Sequence, residues 1–317
     1  MSCPKGRIIA PRKGPSRGRG RLSGRGARGY NEHCVRPFRG ELTVAFDASG
    51  VCGAALSRGL RRPRLRSFRR VPLVPGALVP HPLDVNLRRP EDVENALRRA
   101  LDGMDAARSR VCLVLPDGVA RIGLVEVPPG VAPEEYARFR WTQALPYPAA
   151  EAIVDVLPLG AGRAVAAAVR RRVALEYEAA AERAGLSPGR VDLAPLAALS
   201  ALLRDPPAGP ASVDVILGDA AYCLAASHDG ALRVLRNRRR DADAGEADRL
   251  GREVDRTADF AGNGAGPLPV RVVGPGARGL IGELLRAGRA AGPGWEMDGG
   301  GLPVEAAELP WLGAALA

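Results

Sequence analysis

Lysine is nearly absent from this chain of 317 residues: the only two are Lys5 and Lys13, and arginine supplies all later positive charge. The body of the chain therefore has no lysine for a Schiff base or for a phosphate-binding loop of the Walker type. Alanine, glycine and proline are abundant alongside arginine, which favours a GC-rich genome as the source of the bias.

Histidine and cysteine are also scarce. The three histidines are isolated and the five cysteines never form a CxxC pair, which argues against a metal centre, a disulfide framework and any Ser/His/Asp or Cys/His catalytic set. We predict no catalytic residue and no metal site. Three cysteines lie in apolar, strand-like runs and are predicted to be small core residues: Cys52, Cys112 and Cys223.

Long hydrophobic runs are missing as well, since none approaches the roughly 20 residues of a membrane span. The arginine-rich start has no apolar stretch typical of a signal peptide. We therefore expect a cytoplasmic protein.

Positive charge is concentrated at one end. The net charge is +11, and residues 1–40 hold eleven Lys or Arg against one acid, so the rest of the chain carries only +1. This Gly/Arg/Ser/Pro tail is predicted to be disordered. Binding of nucleic acid through the tail is an alternative hypothesis for function, but the tail has no repeated RGG-aromatic unit, so we expect no nucleic-acid partner.

The remaining sequence predicts two α/β halves, 41–205 and 211–317, separated by the breaker RDPPAGP. Each half begins with apolar strands and continues with helix, strand and helix. A small inserted subdomain is predicted at about 130–170, where a helix before Pro146 is followed by two strands.

The two halves look like copies of one unit. Residues 42–59 align without a gap with residues 213–230, at an offset of 171, and share five identities in 18 positions. Two related halves that each open with a β-hairpin and face one another across a cleft are typical of the actin-like (ribonuclease H-like) fold. We predict this duplicated α/β fold.

Several stretches resemble PilM, the actin-like protein of type IV pilus assembly, which is related to FtsA and to the cytoplasmic part of GspL. They are VAFDASG, VCLVLPDGVARIGLVEVP, PEEYARFRWTQALPYPAAEAIVDVLPL and RRVALEYEAAAERAGLSPGRVDLAPLAALSAL. The resemblance covers residues 41–317. It implies a nucleotide cleft between the halves, whose glycine turns and acidic residue would hold ATP with magnesium.

The residues at the matching positions have lost much of that chemistry. In the first hairpin Asp47 keeps the acid and Gly50 follows it, but Ser49 replaces the turn glycine and Ala54 stands near the family's lysine. In the second hairpin, alignment on Gly218 leaves the acidic and threonine positions to apolar or aromatic residues, Ile216 and Tyr222.

A third motif resembles the family's pattern more closely than the two hairpin turns do. Gly274 and Gly276 form a strand, glycine turn and helix start, which could hold a nucleotide or could be a tight turn alone. The cofactor-binding candidates are thus degenerate: Asp47, Ser49, Gly50, Gly218, Gly274 and Gly276. We expect no cofactor and a pseudo-ATPase, with an active Mg-ATP-binding ATPase as the alternative.

The resemblance implies a scaffold of a pilus or secretion machine, peripheral to the inner membrane. It would bind the cytoplasmic peptide of a PilN-like membrane protein, contact motor components and assemble with copies of itself. Asp117 is expected to belong to a simple turn. Two arginine runs, Arg58 to Arg70 and Arg236 to Arg240, are either solvated strand ends or contacts for an acidic partner or anionic lipid.

Overall fold

The computed structural model of the chain describes residues 42–57, 64–104, 110–203, 209–240, 245–262 and 268–286. The predicted disordered tail, 1–40, lies outside these residues. The strands are β1 Leu42–Asp47, β2 Gly50–Ser57, β3 Arg64–Pro72, β4 Arg110–Leu115, β5 Ala120–Glu126, β6 Ala152–Gly160, β7 Arg163–Arg170, β8 Ser187–Leu193, β9 Ala211–Leu217, β10 Ala221–His228, β11 Ala231–Arg239 and β12 Val270–Val273. The helices are α1 Pro90–Ala100, α2 Pro133–Thr142, α3 Arg171–Arg183, α4 Ala194–Leu202, α5 Glu246–Gly262 and α6 Ala277–Arg286.

The first half forms a five-stranded sheet in the order β3-β2-β1-β4-β8. The central strand β1 is buried along its whole length, including its two polar residues Thr43 and Asp47. Phe46 on this strand packs edge-on against the ring of Tyr177 on α3, with centroids 5.0 Å apart. Helices α1 and α3 cover this core.

The hairpins of the two halves repeat each other in register as well as in sequence. Val44 lies opposite Gly53 in the first hairpin, and Val215 lies opposite Leu224 in the second, each residue 171 positions further on. The pairing of β2 with β3 has a bulge after Ala55, and the pairing of β10 with β11 has one after Ala226, at the same offset. Both first strands then pair in parallel with a later strand, β4 or β12. The structure thus supports the internal duplication.

The second sheet has more strands than the second half alone supplies. Its order is β12-β9-β10-β11-β5-β7-β6, so three strands of the first half extend the four strands of the second. Strands β5, β6 and β7 share a small core of their own with helix α2, and we call residues 120–170 the small subdomain. It includes β5, which lies before the predicted start near residue 130.

The small subdomain joins the second half at one point of the sheet. Strands β11 and β5 are paired through Arg236 and Gly123. The ring of Trp141 on α2 covers Gly123 so closely that a Cβ there would lie 2.6 Å from Cη2 of the indole. Only glycine fits beneath this ring, which fixes α2 over the junction between the two parts of the sheet.

A proline-rich loop, residues 73–89, connects β3 to α1 and is held by one buried asparagine. The Asn86 side-chain oxygen accepts hydrogen bonds from His81 N (2.8 Å) and from the Tyr177 hydroxyl (3.1 Å). Its amide nitrogen donates to the carbonyl oxygens of His81 and Asp84, both at 2.8 Å. Glu176 on α3 accepts the backbone N–H groups of Asn86 and Leu87. These bonds hold the loop in place without regular secondary structure.

Candidate functional site

The cleft between the halves is where the turns of the two hairpins meet. Ala48 N, in the β1–β2 turn, donates a hydrogen bond of 3.1 Å to Oδ2 of Asp219 in the β9–β10 turn. These residues are 171 positions apart, the offset that relates the two hairpins. The turns therefore face each other at equivalent positions of the duplicated unit.

Asp47 is buried and fully engaged by its own half. Its Oδ1 accepts hydrogen bonds from Ser49 N (2.8 Å) and Ser49 Oγ (2.6 Å). Nη2 of Arg70 on β3 lies 3.1 Å from Asp47 Oδ2 and also donates to Ser49 Oγ at 2.7 Å. The acid that the resemblance assigns to a metal and water is thus paired with an arginine.

Gly50 has a structural reason to be glycine. A Cβ at this position would lie 2.9 Å from the backbone oxygen of Val71 on the neighbouring strand. The close approach of β2 and β3 accounts for this residue without reference to a phosphate.

Asp117 reaches from the first half into the second. Its Oδ2 accepts the backbone N–H of Ala221 at 2.5 Å, and a Cβ on Gly218 would lie only 2.1 Å from the same oxygen. Burial, with a smaller effect of the nearby Asp219, raises the pKa of this carboxyl to about 6, although the hydrogen bond from Ala221 N opposes the rise. Gly218 is therefore glycine because a carboxylate packs directly against its Cα.

Sequence reasoning assigned Asp117 only to a turn and missed its place in the cleft. A signal was available, because β1 and β4 are adjacent parallel strands. Asp47 ends β1 and Asp117 follows β4 after one proline. The carboxyl ends of parallel strands meet at one edge of a sheet, so both acids were bound to lie there.

Asp219 was missed as well, and it corrects the expectation that the second turn has no acid. Alignment on Gly218 placed Ile216 at the acidic position, but Ile216 is buried in the core. The acid of this turn is Asp219, whose pKa is raised by burial and by the charge of Asp47. The gapless alignment pairs Asp219 with Ala48, which is the signal that would have located it.

The glycine turn between β12 and α6 closes the other side of the cleft. Gly274 and Gly276 have positive φ angles of 110° and 79°. A Cβ on Gly274 would lie 2.1 Å from the carbonyl oxygen of Leu217, the last residue of β9. Packing of the turn on β9 requires this glycine, which favours the tight-turn interpretation of the motif.

Arg240 lies between this turn and the second hairpin. Its Nη1 donates to the carbonyl oxygens of Gly218 (2.7 Å) and Pro275 (3.2 Å), and its Nε donates to Glu246 Oε1 at 2.5 Å. A Cβ on Gly276 would meet the same guanidinium at 3.3 Å. The expectation that this arginine is a solvated strand end is wrong, since only 12% of its side chain is exposed.

The chemistry of the cleft depends on which groups accept hydrogen bonds from its backbone N–H groups. Phosphate sites of this kind present turn N–H groups to the phosphate oxygens. Here the N–H groups of Ala48, Ser49 and Ala221 all donate to carboxylates of the protein itself. A triphosphate at these donors would meet three carboxyl groups. Among the described residues, no group of three or more His, Cys, Asp or Glu side chains is arranged to hold a metal ion.

No protein-family model matches the chain, and no curated protein matches it in sequence. Solved structures do match. The PilM–PilN type IV pilus biogenesis complex contains a chain that is 20% identical, with a TM-score of 0.65, covering 87% of this chain and 97% of its own. A Bacteroides thetaiotaomicron protein of unknown function with an actin-like ATPase fold is 9% identical, with a TM-score of 0.53, covering 80% and 91%. The chain has the actin-like ATPase fold.

A third similar structure is the cytoplasmic domain of EpsL, an inner-membrane component of the Vibrio cholerae type II secretion system. It is 14% identical, with a TM-score of 0.51, and the match covers 87% of this chain and 94% of that domain. The predicted fold class and the PilM-like resemblance in fold are confirmed. Within the actin-like fold, the cleft described above is the equivalent of the space between the two halves. Among the helices that the structure describes, none combines the length and hydrophobicity needed to cross a bilayer.

Proposed function

We propose that the chain is a non-catalytic, actin-like cytoplasmic scaffold of a type IV pilus or related secretion machine, which docks the cytoplasmic tail of a PilN-like inner-membrane protein. Such a scaffold would lie against the inner membrane through its partner, contact the motor components and assemble with further copies of itself. The similarity in fold to PilM and to EpsL supports the type of machine.

One observation carries the non-catalytic part of this proposal. The turn N–H groups of the cleft are bonded to Asp47, Asp117 and Asp219. Two arginines, Arg70 and Arg240, already have carboxylate partners in Asp47 and Glu246. Binding of a nucleotide would have to break these bonds and bring negative phosphates beside three carboxyl groups, at a considerable electrostatic cost.

The active ATPase is the second candidate, and the same cleft gives one argument for it. Asp47, Asp117 and Asp219 supply acids on both sides of the cleft, and the turn at Gly274 leads into the start of α6. If these acids took up magnesium instead of backbone N–H groups, the cleft would resemble an ATPase site.

Nucleotide-dependent stabilisation separates the two candidates. A ligand that binds the folded state at 100 times its Kd adds about 2.7 kcal/mol to the free energy of unfolding, which raises Tm by several degrees. We expect no change in Tm with saturating Mg-ATP and no release of phosphate. A rise of several degrees together with turnover would establish the ATPase instead.

The proline-rich loop is our candidate for the docking surface. It exposes three apolar side chains, Val74, Val79 and Val85, each at least 39% exposed, in the first half of the chain. Because the Asn86 network holds the loop, a peptide that bound these side chains would not have to order it first.

A binding experiment tests this docking surface. A synthetic peptide that covers the cytoplasmic N-terminus of a PilN-like protein from the same organism should bind with a micromolar Kd in titration calorimetry. The variant Val85→Asp should weaken binding at least about tenfold, because a charge would replace an apolar contact. Phe260→Asp, at a more exposed apolar position in the second half, is the control and should bind as the unaltered chain does. No binding at high micromolar peptide would refute the scaffold role in this form.

A further inference from the structure

The outer strand of the first sheet, β3, borders a basic cavity that the scaffold proposal does not use. The cavity has a volume of about 530 Å³ and lies between the end of β3 and the last turn of α1. Four arginines and one acid line it: Arg69, Arg70, Arg98, Arg99 and Asp102. Arg70 is neutralised by Asp47, and Arg98 lies 3.8 Å from Glu94, but the lining still has more positive than negative charge, which favours an anion.

The arginine side chains are held in position by the protein. Arg69 Nη1 donates to the carbonyl oxygen of Arg99 at 3.0 Å, and Arg98 Nη2 donates to the carbonyl oxygen of Arg183 at 3.0 Å. Arg69 Nη1 also lies 3.4 Å from Asp102 Oδ2, and Arg98 Nη1 donates to Asn95 Oδ1 at 2.8 Å. Each guanidinium has five N–H donors, so both arginines keep donors for a ligand. Arg69 and Arg98 are also about half exposed, at 48% and 49%. The cavity therefore presents fixed donors that a ligand can reach.

The helix end explains only part of this charge. Arg98 and Arg99 lie in the last turn of α1, where positive charge favourably meets the negative end of the helix dipole. Arg69 and Arg70 come from a different element, β3; Arg70 is paired with Asp47, whereas, among the described residues, the half-exposed Arg69 pairs only with the exposed Asp102 at 3.4 Å. Their convergence with the helix arginines is what creates a multiply charged cavity.

The edge of β3 adds a second recognition element. In the described part of the chain, β3 pairs with β2 on one side and lies at the end of the sheet on the other. An outer strand presents backbone N–H and C=O groups to which an extended peptide can add. The arginines of β3 would repel a second copy of the same strand, and they would attract an acidic one.

We propose that this cavity and the adjoining edge of β3 bind an extended acidic segment of a partner protein. The outer edge of β3 favours a peptide over a bilayer, because only a peptide backbone can pair with a strand. No aromatic side chain lines the cavity, so single-stranded nucleic acid would lack a stacking platform. This site is separate from the docking surface proposed on the proline-rich loop, and its partner need not be the PilN-like protein.

The test uses the full chain and a fluorescein-labelled peptide of alternating Glu and Thr, about twelve residues long, which favours an extended strand. The same peptide with Gln in place of Glu is the neutral control. We expect anisotropy to show binding of the acidic peptide that weakens with added salt, and little binding of the neutral one. Equal binding of both peptides would refute a charge-selective site.

Charge-reversal variants locate the binding. Arg69→Glu with Arg99→Glu should weaken the acidic peptide at least tenfold, and Arg99→Glu alone should do so severalfold. Among the described residues the Arg99 side chain has no hydrogen bond or ion pair, so the single variant should fold normally. Arg171→Glu with Arg172→Glu is the matched control, because these two exposed arginines at the start of α3 lie outside the cavity. An equal loss in the control pair would show non-specific attraction and overturn the proposal.

Hydrogen exchange gives a readout that the basic tail does not affect. The acidic peptide should slow exchange of the backbone amides of β3, residues 64–71, because a paired strand protects them. Protection confined to residues 1–40 would contradict the proposal. Phosphatidylserine vesicles and a single-stranded oligonucleotide are tested in the same way. If either one binds through Arg69 and Arg99 while the acidic peptide does not bind, the proposal is also contradicted.

Discussion

At the scale of single residues, Asp117 shows how burial and hydrogen bonding compete over one proton. Burial favours the neutral carboxyl and raises its pKa, while the N–H group of Ala221 stabilises the charged form and lowers it. Burial dominates, so the folded chain binds this proton more tightly than an unfolded chain does.

The variant Asp117→Asn tests this balance through pH. Because the pKa of Asp117 is raised from 3.8 to about 6 on folding, its contribution to stability is present below about pH 4 and is lost as the pH rises through 6. Relative to Asp117→Asn, the unaltered chain should lose at most about 3 kcal/mol of unfolding free energy between about pH 4 and pH 7. Urea unfolding of both proteins at each pH measures the difference. A pH-independent difference would show that Asp117 titrates normally.

Asn86 offers a second test at this scale. The variant Asn86→Ala removes four hydrogen bonds and leaves the buried hydroxyl of Tyr177 unpaired, which should cost about 3 kcal/mol of unfolding free energy. Asn95→Ala, on the exposed face of α1, is the control and should change stability by no more than about 0.5 kcal/mol. Equal effects in urea unfolding would mean that the loop is not held by Asn86.

Residue chemistry was predictable where it depends on local pattern, and unpredictable where it depends on what packs opposite. Cys52, Cys112 and Cys223 are buried and, within the described residues, take part in no disulfide, as their apolar surroundings indicated. The role of Arg240 was mistaken, because a run of arginines at a strand end gives no sign that a glutamate six positions later will bind one of them.

At the scale of elements, hydrophobic periodicity identified the strands and helices, and the repeated hairpin identified the duplicated unit. The offset of 171 taken from the sequence recurs in strand register, in bulge position and in the bond between Ala48 and Asp219. The joining of β5 to β11 was not predictable. It depends on one paired position, Arg236 with Gly123, and no periodic pattern marks it.

The turn between β12 and α6 gives the test at this scale. Gly274→Ala places a Cβ against the carbonyl of Leu217 at a positive φ, which should cost about 3 kcal/mol of unfolding free energy. Gly279→Ala, in open space on α6, should instead stabilise by about 0.5–1 kcal/mol because alanine favours helix. Thermal unfolding compares the two. If Gly274→Ala left the thermal stability unchanged, packing of the turn on β9 would not require glycine at this position.

At the scale of the whole molecule, a buried ion pair ties the second half to the last helix of the first. Arg271 on β12 donates through Nε to Asp214 on β9 at 2.5 Å, and through Nη2 to the carbonyl oxygen of Leu202 on α4 at 3.1 Å. Both side chains are at most 6% exposed. Removal of one partner would leave an uncompensated charge in the interior.

Arg271→Met should therefore cost about 3–5 kcal/mol of unfolding free energy, because Asp214 remains buried and unpaired. The double variant Arg271→Met with Asp214→Val should recover most of this loss, since neither charge is left. Arg256→Met, in an exposed ion pair with Glu253, is the control and should stay within about 0.5 kcal/mol. Additive losses in the double variant, measured by urea unfolding, would show that the two side chains do not act as a pair.

The sheet that continues from the second half into the small subdomain has a mechanical consequence. Strands β5 and β7 are paired at seven positions, whereas β11 and β5 are paired at one. A pulling force on the small subdomain would pass to the second half through that one pair and the bond from Arg163 to the carbonyl of Leu232. A tethered partner that pulled on the small subdomain would therefore separate β5 from β11 before it separated β5 from β7.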